Sequence, residues 1–141
     1  MRYLKYLFVF LFVGSFLPAC QKETISPEAT GNSLVGKWQW VSSNGGITGQ
    51  DQQTPETIKT TIHIQFSSDN QFIRYENGVK TQETTYILQK GKSIYSATES
   101  SDLISIDNSG IRYSYRLENN QLYLFDECYD CYTHQYVRIA K

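Results

Sequence analysis

The chain has 141 residues, enough for one domain whose core does not depend on a dense set of disulfides. Its thirteen basic and fourteen acidic residues give a formal net charge of -1 with no basic run, which excludes the phosphate-binding footprint of a nucleic-acid partner. Tyr, Phe, Ile and Thr are plentiful while alanine occurs only at Ala19, Ala29, Ala97 and Ala140, a composition suited to strands rather than helices.

Residues 1–19 are a different material from the rest. Arg2 and Lys5 precede an unbroken apolar run from Leu7 to Val13, and Leu17-Pro18-Ala19 places small residues before Cys20. The apolar stretch is shorter than the roughly 20 residues that a membrane-crossing helix needs, so a cleaved export signal is expected. Leu17-x-Ala19-Cys20 resembles a bacterial lipobox, which implies acylation of Cys20 and anchoring to a membrane. Without these residues eleven basic and fourteen acidic side chains remain, a net charge of -3. Residues 20–33 are expected to be the acylated cysteine and a flexible tether, being polar, containing Pro27 and Gly31 and lacking an apolar period. Residues 34–141 are expected to form the domain.

The domain opens with Gly36-Lys37-Trp38-Gln39-Trp40, in which Gly36, Trp38 and Trp40 share one strand face, with Ser42 continuing it. Residues 43–55 form a long connection, of the kind that carries function in compact domains. Ile58, Thr60, Ile62, Ile64 and Phe66 alternate along a second strand and leave His63 on the solvent side. Residues 71–75 return the chain to the hairpin signal Asn77-Gly78, and Phe72 and Tyr75 share a face only across a bulge, so either Arg74 or Tyr75 points inward. Thr84, Tyr86 and Leu88 align on a fourth strand. Residues 92–107 read as one broken, bulged strand, because a barrel whose first and last strands pair antiparallel needs an even number. Ile111, Tyr113, Tyr115 and Leu117 alternate cleanly on the next strand, Leu122 and Leu124 face inward after the Asn119-Asn120 turn, and residues 132–139 are the last. In that strand Tyr136, Arg138 and Ala140 share a face, and an inward arginine needs a partner. Pairing of the first and last strands would bring Arg138 over Trp38 as a cation–π contact at the barrel floor.

The expectation is therefore an all-β domain, an eight-stranded up-and-down antiparallel barrel. Gly36-x-Trp38, with Arg138 at the other end of the chain, resembles the signature of lipocalins. Together with the lipobox it makes the chain similar to small lipocalin-like lipoproteins of Bacteroidota-type envelopes. Gly45-Gly46-Ile47 followed by Thr54-Pro55 resembles a loop of the same family. The resemblance implies a barrel floor of Gly36, Trp38 and Arg138, and an outer-membrane location.

In that topology the long loop, the Asn77-Gly78 turn, residues 108–110 and the turn from Cys128 to Cys131 share the mouth. Trp40, Tyr86, Tyr113, Tyr115 and Tyr136 are expected to line a pocket there for a small apolar or amphipathic molecule. The alternative is a filled barrel whose mouth loops bind protein in the envelope. Cys128-Tyr129-Asp130-Cys131 admits a disulfide, a zinc site completed from His134, a redox pair or free thiols. An oxidising envelope favours the disulfide, and zinc lacks a second cysteine pair. Asp126 and Glu127 point to opposite faces and are expected to form a solvated acidic rim. No G-x-S-x-G elbow and no phosphate cradle occur, so neither enzyme activity nor a cofactor is expected.

Overall fold

Nine strands and one helical turn make up the regular structure of residues 33–96, 100–107 and 110–140, the part of the chain that the computed structural model describes. Cys20, the export signal and most of the tether lie outside these residues. The strands are β1 (Gly36–Gly45), β2 (Asp51–Gln53), β3 (Ile62–Phe66), β4 (Gln71–Glu76), β5 (Val79–Gly91), β6 (Ser101–Ile106), β7 (Arg112–Glu118), β8 (Gln121–Asp126) and β9 (Tyr132–Arg138), and the helical turn is α1 (Pro55–Ile58). From β3 to β9 each strand pairs antiparallel with the next, and β1 pairs with both β3 and β9, closing an eight-stranded barrel with β2 outside the count.

The closure follows from alternation. Trp38, Ile64, Phe66, Ile104 and Leu122 are each almost fully buried on the inner face, and burying a side chain of that size is worth about 1.5–3 kcal/mol. A slip of one residue would turn these side chains to water, so the inner stripe fixes the register. Phe66 stands 5.2 Å from Phe72 and 5.1 Å from Tyr86, and these rings fill the floor half of the interior.

Several local expectations need correction. The second strand begins at Ile62, not Ile58, because Thr54 caps α1: its hydroxyl accepts from the Thr57 amide, the Thr57 hydroxyl accepts from the Thr54 amide, and Pro55 takes the first helical position. The long connection contains β2, whose residues 51–53 pair with Ser43, Asn44 and Gly45. A bulge at Val41 shifts the register with β9, so that Ser42 lies opposite Gln135 and Ser43 opposite His134. The inner face thus passes from Trp40 to Ser43. Of the two alternatives left open for β4, Arg74 is the inward residue, and the register shift between the partners of Arg74 and Tyr75 falls on β5, where Thr81 is skipped.

Residues 92–107 are not one broken strand. β6 starts at Ser101, and residues 92–96 form a turn held against the outer surface of the barrel. Glu127 holds it there: its carboxylate accepts from the Ser93 hydroxyl at 2.6 Å and the Ile94 amide at 2.9 Å, while the Tyr95 hydroxyl donates to the Cys128 carbonyl. Desolvation pushes the Glu127 carboxyl up, but the bonds from Ser93, Ile94 and Ser114 outweigh it and leave it below its ordinary range. Glu127 is a fastening rather than a member of a solvated rim.

Candidate functional site

The two ends of the barrel differ in what their side chains do. At the floor Trp38 and Arg138 are directly opposed across β1 and β9, and the guanidinium lies 4.1 Å from the centre of the indole. Arg138 also donates from Nη1 to the Val35 carbonyl at 3.0 Å and from Nη2 to the Ser33 carbonyl, while Trp38 Nε1 donates to the Leu34 carbonyl at 2.9 Å. Gly36 is required beside them. Its φ is +148°, and a Cβ there would come within 2.5 Å of Arg138 Nη1. Trp38 and Arg138, from opposite ends of the domain, therefore seal the floor by gripping the carbonyls of the incoming segment, and Gly36 leaves the room for it.

At the mouth the barrel is open over a cavity of about 420 Å³. Trp40, Ile62, Ile64, Phe72, Tyr113 and Tyr136 form most of its wall, with Leu124 behind and Ile58 of α1 at the edge. It exists because the β1–β3 pairing ends at Gln39 and His63, and β2 with α1 bridges the gap above. Of the expected pocket residues Trp40, Tyr113 and Tyr136 line it. Tyr86 and Tyr115 do not. Tyr86 belongs to the floor, edge-on to Phe66 with its hydroxyl donating to the Ser67 carbonyl, because β5 is long and has reached the far end of the barrel by that residue. Tyr115 sits opposite Leu124, a rung below the Tyr113–Asp126 pair, and packs on the core from that side.

One wall of the cavity carries a polar series that the sequence did not disclose. Trp40 Nε1 donates to Ser43 Oγ at 2.9 Å, Ser43 Oγ is 2.7 Å from His134 Nδ1, and His134 Nε2 is 3.1 Å from Asp126 Oδ1. Asp126 also accepts the Tyr132 amide through Oδ2. In the neutral imidazole tautomer whose Nε2–H donates to the Asp126 carboxylate, Nδ1 is the acceptor for the Ser43 hydroxyl proton. Asp126 is a partner inside the wall, not part of an acidic rim. The order Ser–His–Asp is that of an activated nucleophile, yet Ser43 is only 4% exposed and already accepts the Trp40 indole N–H. That bond occupies one of the two oxygen lone pairs, and the hydroxyl is held in the wall from both sides. The bulge at Val41 and the β8–β9 register bring these groups together, and neither is signalled by spacing along the chain.

Cys128 and Cys131 are disulfide-bonded across the β8–β9 connection, with Cα atoms 5.7 Å apart. A carboxylate oxygen of Asp126 lies within 4.8 Å of both sulfurs, but a disulfide offers no thiolate to a metal.

Compared with known proteins, the chain matches no protein-family model and no curated relative. Fold and site define the class: a small closed antiparallel barrel, sealed at one end by a Trp–Arg pair and open at the other over an aromatic cavity.

Proposed function

We propose that the chain is a membrane-anchored envelope lipoprotein whose barrel binds a small apolar or amphipathic molecule in the mouth cavity. The observation that carries this reading is the cavity itself. Its volume of about 420 Å³ falls in the range of about 300–1,000 Å³ used by small-molecule sites, and its wall is amphipathic, with Trp40, Ile62, Ile64 and Phe72 beside the polar Ser43, Gln82, Arg74 and His134. The lipobox-like Leu17-x-Ala19-Cys20 supports the anchor, and Gly36, Trp38 and Arg138 support a lipocalin-like lipoprotein of Bacteroidota-type bacteria, placed in the outer membrane.

The test uses N-phenyl-1-naphthylamine, a neutral fluorescent probe, with a chain starting at Gln21. Saturable one-to-one binding that quenches Trp40 and is abolished by filling the cavity with Leu124→Trp is the expected result. No saturable binding, together with no lipid extracted from the purified protein, would defeat the reading. A protein-binding role for the mouth would then take its place, because Ile47, Val79, Ile111 and Tyr129 are exposed there at 88%, 66%, 56% and 83%. For the anchor, cells fed a fatty-acid analogue should label the wild type and not Cys20→Ser.

A further inference from the structure

Among the polar groups facing the cavity are donors without a protein partner among the described residues. Arg74 enters the inner face from β4 and lines the cavity. Its Nε donates to Glu76 at 2.9 Å, and no described residue accepts from its two Nη groups. Tyr136 is 5% exposed and lines the same space, directly opposite Trp40 across the β1–β9 pairing, and its hydroxyl has no hydrogen-bond partner among the described residues. Tyr113 adds a second phenol. Burial pushes both hydroxyls above their ordinary range, so they keep their protons. Of the nearby carboxylates, Asp126 accepts from His134 and the Tyr132 amide, Asp107, which also lines the cavity, has a partner of its own, and Glu76 pairs with Arg74 through Nε. The Tyr136 hydroxyl and the Arg74 Nη groups face the same open cavity, and an acceptor-only group entering it could accept from both.

We propose that Arg74 and Tyr136 form a head-group subsite for an oxyanion, so that the occupant is an amphipathic molecule with a carboxylate or sulfonate at one end. Its apolar body lies against Ile62, Ile64, Phe72 and Leu124. A cationic head would meet the Arg74 charge, and a wholly apolar molecule would leave the Tyr136 hydroxyl unpaired. This inference rests on the binding reading above and adds the chemistry of the ligand's polar end.

The experiment compares two probes that differ in one group, 8-anilinonaphthalene-1-sulfonate and N-phenyl-1-naphthylamine, titrated into the chain starting at Gln21. The wild type should bind the sulfonate at least about tenfold more tightly than the neutral probe, the range of a charge-assisted hydrogen bond. Arg74→Met should remove that preference, the sulfonate losing at least about tenfold more affinity than the neutral probe, and Arg74→Lys, which keeps the charge without the fork, should restore part of it. Tyr136→Phe keeps the packing and should weaken sulfonate binding by about three- to fivefold. Equal affinities for the two probes in the wild type, or a preference that survives Arg74→Met, would overturn the subsite and leave the binding reading standing. Failure of both probes to bind would defeat the binding reading and this inference with it.

Discussion

Replacing Arg138 with alanine tests the sealed floor most directly. The side chain makes a cation–π contact at 4.1 Å and donates to two carbonyls of the incoming segment, at Val35 and Ser33. A contact of this kind at a partly desolvated site is worth about 1–2 kcal/mol, and a hydrogen bond from a charged donor about 1.5 kcal/mol before screening by nearby water. Discounting for partial exposure, the loss should be about 2–4 kcal/mol, or roughly 10–20 °C in the melting temperature of a domain this size. Arg138→Lys keeps the cation but not the two-pronged grip and should cost about half as much. Gly36→Ala should resemble Arg138→Ala, since its Cβ would displace Nη1 and its backbone would be strained. The assay is urea unfolding of a chain starting at Gln21, with Trp38→Phe completing a double-mutant cycle. A coupling of about 1 kcal/mol between the two residues is expected. Additive losses, with coupling below about 0.3 kcal/mol, would refute the argument that indole and guanidinium act as one closure.

Other outcomes follow from the mouth and the outer surface. Because the Glu127 carboxyl is held below its ordinary range, its grip on residues 92–96 is fully present above the unfolded value and is lost as pH falls through the folded one. The protection factor of the Ile94 amide, corrected for its intrinsic exchange rate, should fall in acid, and Glu127→Gln should remove that dependence. Cys128 and Cys131 should resist alkylation without reductant, and Cys128→Ser with Cys131→Ser should cost no more than about 2 kcal/mol, because so short a loop restricts the unfolded chain little. Ser43 should not react with a fluorophosphonate, and stoichiometric labelling that disappears in Ser43→Ala would contradict its assignment to the wall.

What could be read in advance was whatever repeats with period two. The inner stripe of β3, the clean alternation of β7, the Asn77-Gly78 hairpin and the pairing of the outermost strands all lie on that signal, and together they imply a closed barrel. Bulges broke it without notice. One inserted residue at Val41 exchanged Ser42 for Ser43 on the inner face, and the whole Ser43–His134–Asp126 wall depends on that exchange. At residues 54–58 the Ile58-Thr60-Ile62 alternation concealed a stronger local cue, a threonine followed by proline with a second threonine three residues on, which makes a capped turn. Residues 92–96 have no periodic signature, since their position is set by bonds to Glu127 and Cys128 more than thirty residues away. Tyr86 and Tyr115 were misplaced for a third reason: alternation reports the face of a strand, not the height along the barrel.

The grip of Arg138 and Trp38 on residues 33–35 has a mechanical side. β1 is flanked by β9 along one edge and by β3 and then β2 along the other, and the chain enters it at the floor. If the N-terminal segment is pulled while a load is held at the mouth, tension runs along β1 and strains both of its ladders in shear, so their bonds resist together instead of peeling one by one. The guanidinium–carbonyl clamp stands first in that line of force. Resistance to extraction is set by the rate of crossing a barrier, not by equilibrium stability, so two variants of equal midpoint in urea can differ widely in how long they survive a tug.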